Sequence, residues 1–317
     1  MYVFKQAKKE AVGLLIGLVG ASGSGKTYSA MRLASGIVGK GNRFAVIDTE
    51  ARRALHYADM FEFDHCELGS PFRPDNYADA IQAAAQAGYK AIVVDSMSHE
   101  WAGEGGILDW QEEELTRMAG NDYHKRETCK MAAWIKPKMS HKQMVQKLLQ
   151  VNAHLILCFR AEEKTKMEKD DKGKMQIIPI GWQPVCSKEL PYELTVSFLL
   201  TADKPGIPQP IKLQEQHKIM FPSGKLLCEE SGVLVTEWAA GSVKKPEVTP
   251  DRYPQCITLE QQTTLAGIII DKGVDNKKFL KYMGVAGLSE ISAQDYKKAI
   301  EALKLAKGAE GKGAKAA

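Results

Sequence analysis

The sequence predicts an α/β fold built on a doubly wound, mainly parallel sheet, and three observations predict it. Short apolar runs without polar alternation recur along the first half of the chain, at Leu14-Leu15-Ile16-Gly17-Leu18-Val19, Phe44-Ala45-Val46-Ile47, Ile92-Val93-Val94 and Leu155-Ile156-Leu157. Runs of that kind are strands buried on both faces. Segments with apolar positions at helical spacing lie between them, so strand and helix alternate. The first run passes without a gap into Gly20-Ala21-Ser22-Gly23-Ser24-Gly25-Lys26-Thr27, a glycine-rich turn between a strand and a helix. An open sheet of this kind places its ligand site at the carboxyl ends of the strands.

Each element follows in order. Lys26 to Val38 reads as a helix, 43–48 as a strand, Asp75 to Gly88 as a helix stopped by its glycine, and 90–96 as the next strand. Residues 108–149 are mostly helical with breaks expected near Gly120 and Pro137, and 153–159 is a further strand. From Arg160 to Trp238 the texture changes to short strands and turns: a hairpin around 170–173, a strand at 193–201, and a strand at 217–221 before a turn at Pro222-Ser223-Gly224. These read as antiparallel additions to the sheet edge. Residues 241–256, with Pro246, Pro250 and Pro254, read as a linker. Thr258-Leu259-Glu260-Gln261 is a capping-box signature and Ser292 caps a helix running to about Leu305. The expected organisation is a core at 1–240, the linker, a small helical domain at 257–305 and a disordered tail at 306–317.

Composition narrows the class. Lys5, Lys8 and Lys9 ahead of an apolar stretch mimic a secretory leader, but a leader has no use for the Gly25-Lys26-Thr27 that follows, and a buried strand explains the stretch equally well. No other stretch reaches the length of a membrane span, so a cytoplasmic protein is expected. The six cysteines are widely spaced, without metal-ligand spacing, and read as reduced thiols. A net charge of +4 is too small to argue for nucleic acid by itself.

The glycine-rich turn fits G-x-x-x-x-G-K-[ST], the phosphate-cradling P-loop. Backbone N–H groups of such a turn, with no Cβ in the way, converge on phosphate oxygens at a helix N-terminus. Gly20, Ser22, Gly23, Ser24, Gly25, Lys26, Thr27 and Tyr28 are therefore the candidate nucleotide-binding set, with ATP and Mg²⁺ implied. Lys26 supplies a point charge to the β and γ phosphates, and the Thr27 hydroxyl completes a Mg²⁺ shell. Asp95 ends a strand where its carboxylate can hold the same metal; the alternative is a cap on the following segment. Glu50, after Asp48-Thr49, ends the neighbouring strand and is the candidate base for the attacking water, against a plain surface glutamate.

Charge is unevenly distributed. Residues 100–114 hold six acids and no base, whereas 117–147 hold eight bases against Asp122 and Glu127. Lys125, Arg126, Lys130, Lys136 and Lys138, with Trp134 among them, have the mixture of phosphate contacts and stacking faces that single strands require. A solvated helix face is the competing explanation.

The order of parts resembles the RecA-like recombination ATPases: the P-loop, the Asp48-Thr49-Glu50 after the second strand, Val94-Asp95-Ser96, then a strand ending in a polar residue before a long variable loop. Asp95-Ser96-Met97-Ser98-His99-Glu100-Trp101 followed by Gly105-Gly106-Ile107-Leu108 looks more narrowly like the phage-encoded members associated with single-strand annealing. The resemblance spans roughly 11–200. It implies a RecA-like P-loop fold, ATP hydrolysis with Glu50 activating water, single-stranded DNA as partner and a head-to-tail homo-oligomer. Where many recombinases have glutamine this chain has Arg160, which would sense the γ-phosphate or contact DNA. Phe4-Lys5-Gln6-Ala7 matches the F-x-x-A docking pattern of such recombinases, or is an ordinary terminus. Residues 257–305 have a looser likeness to C-terminal modules of phage annealing proteins, which implies a recombination or single-strand-binding protein as partner.

Overall fold

The structure is a computed structural model and describes residues 4, 12–169, 175–241, 257–285 and 287–305. The chain divides into two compact units, Met1–Lys244 and Lys245–Ala317. The expected tip of the hairpin at 170–173, the linker beyond Gly241, the tail at 306–317 and most of the F-x-x-A segment lie outside the described residues; Phe4 itself is 98% exposed.

The first unit is an eight-stranded sheet with helices on both faces. Its strands are β1 (Leu15–Gly20), β2 (Phe44–Asp48), β3 (Phe63–Glu67), β4 (Ala91–Asp95), β5 (His154–Lys169), β6 (Met175–Pro184), β7 (Val196–Leu200) and β8 (Gln209–Lys212). Its helices are α1 (Lys26–Val38), α2 (Pro74–Gln86), α3 (Ser98–Ala102), α4 (Ile107–Ala119), α5 (Tyr123–Cys129), α6 (Ile135–Leu149), α7 (Leu190–Glu193) and α8 (Glu229–Ala239). The strand order is β3-β2-β4-β5-β1-β7-β8, with β6 paired to β5 off that path. All pairs are parallel except β7–β8 and β5–β6.

Uninterrupted apolar strands are explained by two separate cores. Alternate residues face opposite sides: Ile16, Leu18, Val46, Val93 and Ile156 pack with α1 and α8, whereas Leu15, Val19, Ile47, Val94 and Leu157 pack with α2 and α6. Each such side chain, removed from water, stabilises the fold by about 1.5–3 kcal/mol. Helices α1 and α8 approach at backbone distance, because a Cβ on Gly36 would lie 1.9 Å from Glu229 O and one on Gly232 2.3 Å from Leu33 O. The Arg32–Glu229 ion pair at 2.6 Å closes the same seam.

Several expectations change. The break expected near Pro137 falls just ahead of it: Pro137 sits in the first turn of α6, where its missing N–H is one that no carbonyl would bond. The actual interruption is the segment between α5 and α6, with a short 3-10 turn at Ala132–Trp134. Strand β5 continues through Arg160 to Lys169 instead of stopping at 159. Its last nine residues, six of them charged, are exposed or half-buried and leave the main sheet to pair with β6. That hairpin therefore grows from a central strand, not from the sheet edge, and β7 joins β1 in parallel. The strand expected at 217–221 is absent; a 3-10 turn at Glu215–His217 and further turns take its place. Strand β3 and helix α8 had no clear sequence signal. Among the described residues no helix is long and apolar enough to cross a membrane.

The second unit is α9 (Leu259–Asp271), α10 (Asn276–Met283) and α11 (Tyr296–Leu305) around Leu265, Ile269, Phe279, Ile291 and Leu303. The capping box forms as read: Gln261 N–H donates to Thr258 Oγ1 at 3.2 Å and Thr258 N–H to Gln261 Oε1 at 2.9 Å. Ser292 caps a 3-10 turn that leads into α11.

Candidate nucleotide site

Register brings the chemistry together. Gly20 at the end of β1 lies opposite Arg160 on β5, and Asp95 at the end of β4 lies opposite both Asp48 on β2 and Cys158 on β5. The carboxyl ends of four adjacent strands therefore meet at one cavity of about 740 Å³, lined by P-loop residues together with Glu50, Asp95 and Arg160.

The P-loop takes its shape from its glycines. Gly23 and Gly25 hold φ of 78° and 82°, which a side chain would strain. A Cβ on Gly20 would stand 2.4 Å from Ser24 Oγ and 2.6 Å from Leu200 O, so the loop can fold over β1 only with glycine there. Of the candidate set, Gly20, Ser22, Gly23, Gly25, Lys26, Thr27 and Tyr28 line the cavity. Ser24 does not: it is fully buried, and its hydroxyl donates back to Ala21 O at 2.8 Å, bracing the loop from inside.

Lys26 Nζ reaches over the loop to Gly20 O at 2.7 Å and Ala21 O at 2.9 Å. Burial pulls its pKa down, partly opposed by the negative charge around it, including Asp95 and Glu50. The Thr27 hydroxyl donates to Asp95 Oδ2 at 2.5 Å. Asp95 is 6% exposed, and burial pushes its carboxyl up. Two hard oxygen donors side by side at the wall of a phosphate-shaped loop suit Mg²⁺, which takes few protein ligands and completes its shell with phosphate and water. The residues present thus fit a magnesium-bound nucleoside triphosphate.

Glu50 sits across the cavity. Its N–H donates to Asp48 Oδ1 at 2.7 Å, while the other oxygen of Asp48 accepts Ala54 N–H at 2.9 Å. The buried Asp48 thereby closes a tight turn in which Ala51 and Arg52 take φ of 54° and 66°. Arg160 grips the Glu50 carboxylate through Nε at 3.0 Å and Nη2 at 2.8 Å, a bidentate pair at the mouth of the cavity.

That turn also delivers residues the sequence did not single out. Arg53, His56 and Tyr57 line the cavity, and Tyr57 packs against Tyr28 with ring centroids 5.9 Å apart, Phe61 closing the cluster at 5.6 Å from Tyr28. The signal available in the sequence was Asp48 itself, a short acceptor that bonds the backbone just after it and favours such a turn. Glu100 is not among the residues that line the cavity: it is wholly buried, accepts from His141 Nδ1 at 2.8 Å, and His141 Nε2 contacts Ser187 Oγ at 2.8 Å.

The basic segment lies outside this cavity. Arg126 pairs with Glu112, and Lys136 with Glu114 at 3.0 Å, so part of the positive charge of 117–147 is matched by the acids of 100–114. Lys130 is 3.8 Å from Glu127. Lys138 stands over the Trp134 ring at 5.4 Å, and that ring stacks on Trp101 at 6.1 Å. Lys125 is exposed on α5.

A family model described as an AAA domain matches residues 13–217, from the first strand to the turn after β8. No curated protein matches the chain. The matched span contains every residue of the cavity, and the chain belongs to the AAA domain family of nucleotide-binding P-loop ATPases.

Proposed function

We propose that this protein binds and hydrolyses ATP with Mg²⁺ and couples the nucleotide to a grip on single-stranded DNA, in homologous recombination or annealing of the phage-encoded type. The observation that carries the ATPase half is the Thr27–Asp95 oxygen pair facing the Glu50 carboxylate across a P-loop cavity. Lys26, Thr27 and Asp95 would hold the nucleotide and its metal, whose role when bound is to neutralise phosphate charge. Glu50 would accept the proton of the attacking water.

The DNA half is supported by continuity. Arg160, bonded to Glu50, is the last residue of β5 paired to β1, directly before the stretch that leaves the sheet as a charged hairpin, so nucleotide state and hairpin meet at one residue. The pairing of Arg126 with Glu112 does not oppose this reading, because an exposed ion pair is worth about 0–1 kcal/mol and exchanges readily for a phosphate, whereas Lys136 is held more firmly by the buried carboxylate of Glu114. A head-to-tail oligomer, a recombination or single-strand-binding partner at 257–305 and a place in the host cytoplasm belong to the same proposal.

Steady-state ATP turnover with and without single-stranded oligonucleotide is the test. Stimulation several-fold or more supports the proposal; turnover indifferent to DNA points to a P-loop ATPase with another task, such as packaging or partition. The bidentate Arg160–Glu50 pair favours one further reading, a nucleotide-gated binding module with little turnover. A burst of product without a steady state would identify it.

A further inference from the structure

Helix α3 presents consecutive residues to different surroundings, and His99 is the one that turns toward Glu50. The hydrogen bonds around Thr49, together with the Glu50 carboxylate facing Nε2, place the proton on this ring. The Thr49 hydroxyl accepts Ser96 N–H at 2.8 Å and lies 3.1 Å from Ser96 O and 2.8 Å from His99 Nδ1. It has one proton to give. Ser96 O, which also accepts from the Tyr77 hydroxyl at 3.1 Å, and His99 Nδ1 compete for it; Nδ1 is the nearer acceptor, and the Glu50 carboxylate facing the other ring nitrogen decides for it. Burial and the nearby Arg160 guanidinium hold His99 below its ordinary pKa, so the ring is neutral. A neutral imidazole that accepts at Nδ1 carries its hydrogen on Nε2.

That Nε2–H faces Glu50 Oε1 at 3.9 Å, with the two side chains 13% and 14% exposed. The opposite tautomer would set a lone pair against a carboxylate. Phe72 packs against the ring at 5.0 Å and limits its movement. A contact of 3.9 Å is not a hydrogen bond. In this state both carboxylate oxygens are held by Arg160, which is half exposed and free to turn toward a phosphate. When it does, Glu50 keeps Arg53 on its exposed side and His99 on its enclosed side.

We propose that His99 is the positioning residue for Glu50: once Arg160 releases the carboxylate, His99 Nε2–H bonds Oε1 and leaves the other oxygen aimed into the cavity to take the proton of water. His99 keeps its own proton throughout. This rests on the assignment of Glu50 as base.

Two variants separate the ring's nitrogens. The amide of His99→Asn replaces Nδ1 and keeps the Thr49 bond without reaching Glu50, whereas the amide of His99→Gln reaches the place of Nε2. Steady-state turnover is measured in the full chain, with nucleotide affinity from a fluorescent ATP analogue and folding from thermal unfolding. The Asn variant is expected to lose about tenfold in kcat with KM for ATP unchanged, and the Gln variant to recover most of it. Adding His99→Asn to Glu50→Gln is expected to cost nothing further. Wild-type turnover in the Asn variant, or a Gln variant no better than Asn, overturns the proposal. Wild-type turnover in Glu50→Gln removes the base assignment itself, and the His99 proposal with it. Should the Asn variant not fold, His99→Ala with added imidazole makes the same comparison: restored turnover supports the proposal and unrestored turnover overturns it.

Discussion

The nucleotide cavity and the basic segment 117–147 both collect charged side chains, yet they use them differently. Around the cavity, Lys26, Asp95, Glu50 and Arg160 come from four separate stretches of sequence and converge on one space. In the basic segment, Arg126 and Lys136 answer acids that lie a few turns earlier in the chain. Convergence from distant strands builds a site, because the sheet register fixes each contributor. Charges clustered in sequence mostly find their neighbours. The contrast teaches that a local run of bases is weaker evidence of a ligand than a few charges brought together by topology.

The predictions test that contrast, beginning with its stronger side. Glu50→Gln keeps the shape of the side chain but cannot accept a proton, so kcat is expected to fall by about 10²–10⁴ while ATP affinity holds. Glu100 offers no replacement, being buried against His141. Lys26→Ala removes the charge over the P-loop, and MgATP affinity measured by isothermal titration is expected to fall by about a hundredfold, roughly 2.7 kcal/mol. Unchanged affinity there would dismantle the P-loop assignment.

The weaker side of the contrast predicts smaller effects. If a DNA base stacks on Trp134, Trp134→Ala weakens binding of a labelled single strand by about 1–3 kcal/mol with little change in salt dependence. Replacing Lys136 and Lys138 together by Ala is expected to flatten the plot of log affinity against log salt by about 0.7 for each phosphate no longer neutralised, with ATP affinity unaltered. Fluorescence anisotropy at several salt concentrations reads both. Identical slopes and affinities across these variants would reduce the segment to a helix face paired within the protein.

The parts legible in the sequence were those decided by local chemistry. The P-loop, the buried strands, the Thr258–Gln261 cap and the glycine that stops α4 each follow from a few adjacent residues. The parts missed depend on distant partners. Strand β3 alternates poorly and is a strand because β2 offers it an edge. Pro137 marks a helix start and not a helix end, a distinction invisible until the neighbouring turn at Ala132–Trp134 is known. Arg53, His56 and Tyr57 reach the cavity only through the turn that Asp48 closes, and His99 gains meaning only beside Thr49 and Glu50. The described cysteines are free.

Strand β5 has one mechanical consequence. Its root is fastened on both sides, by six register pairs to β1 and five to β4, while its outer nine residues run free of the main sheet. At about 3.3 Å per residue that outer length is roughly 30 Å, so a tilt of about 5° at Arg160 would carry the far end through about 3 Å. The strand has the form of a lever with its fulcrum at the cavity: an ångström-scale adjustment at its root would be magnified at the far end of the hairpin.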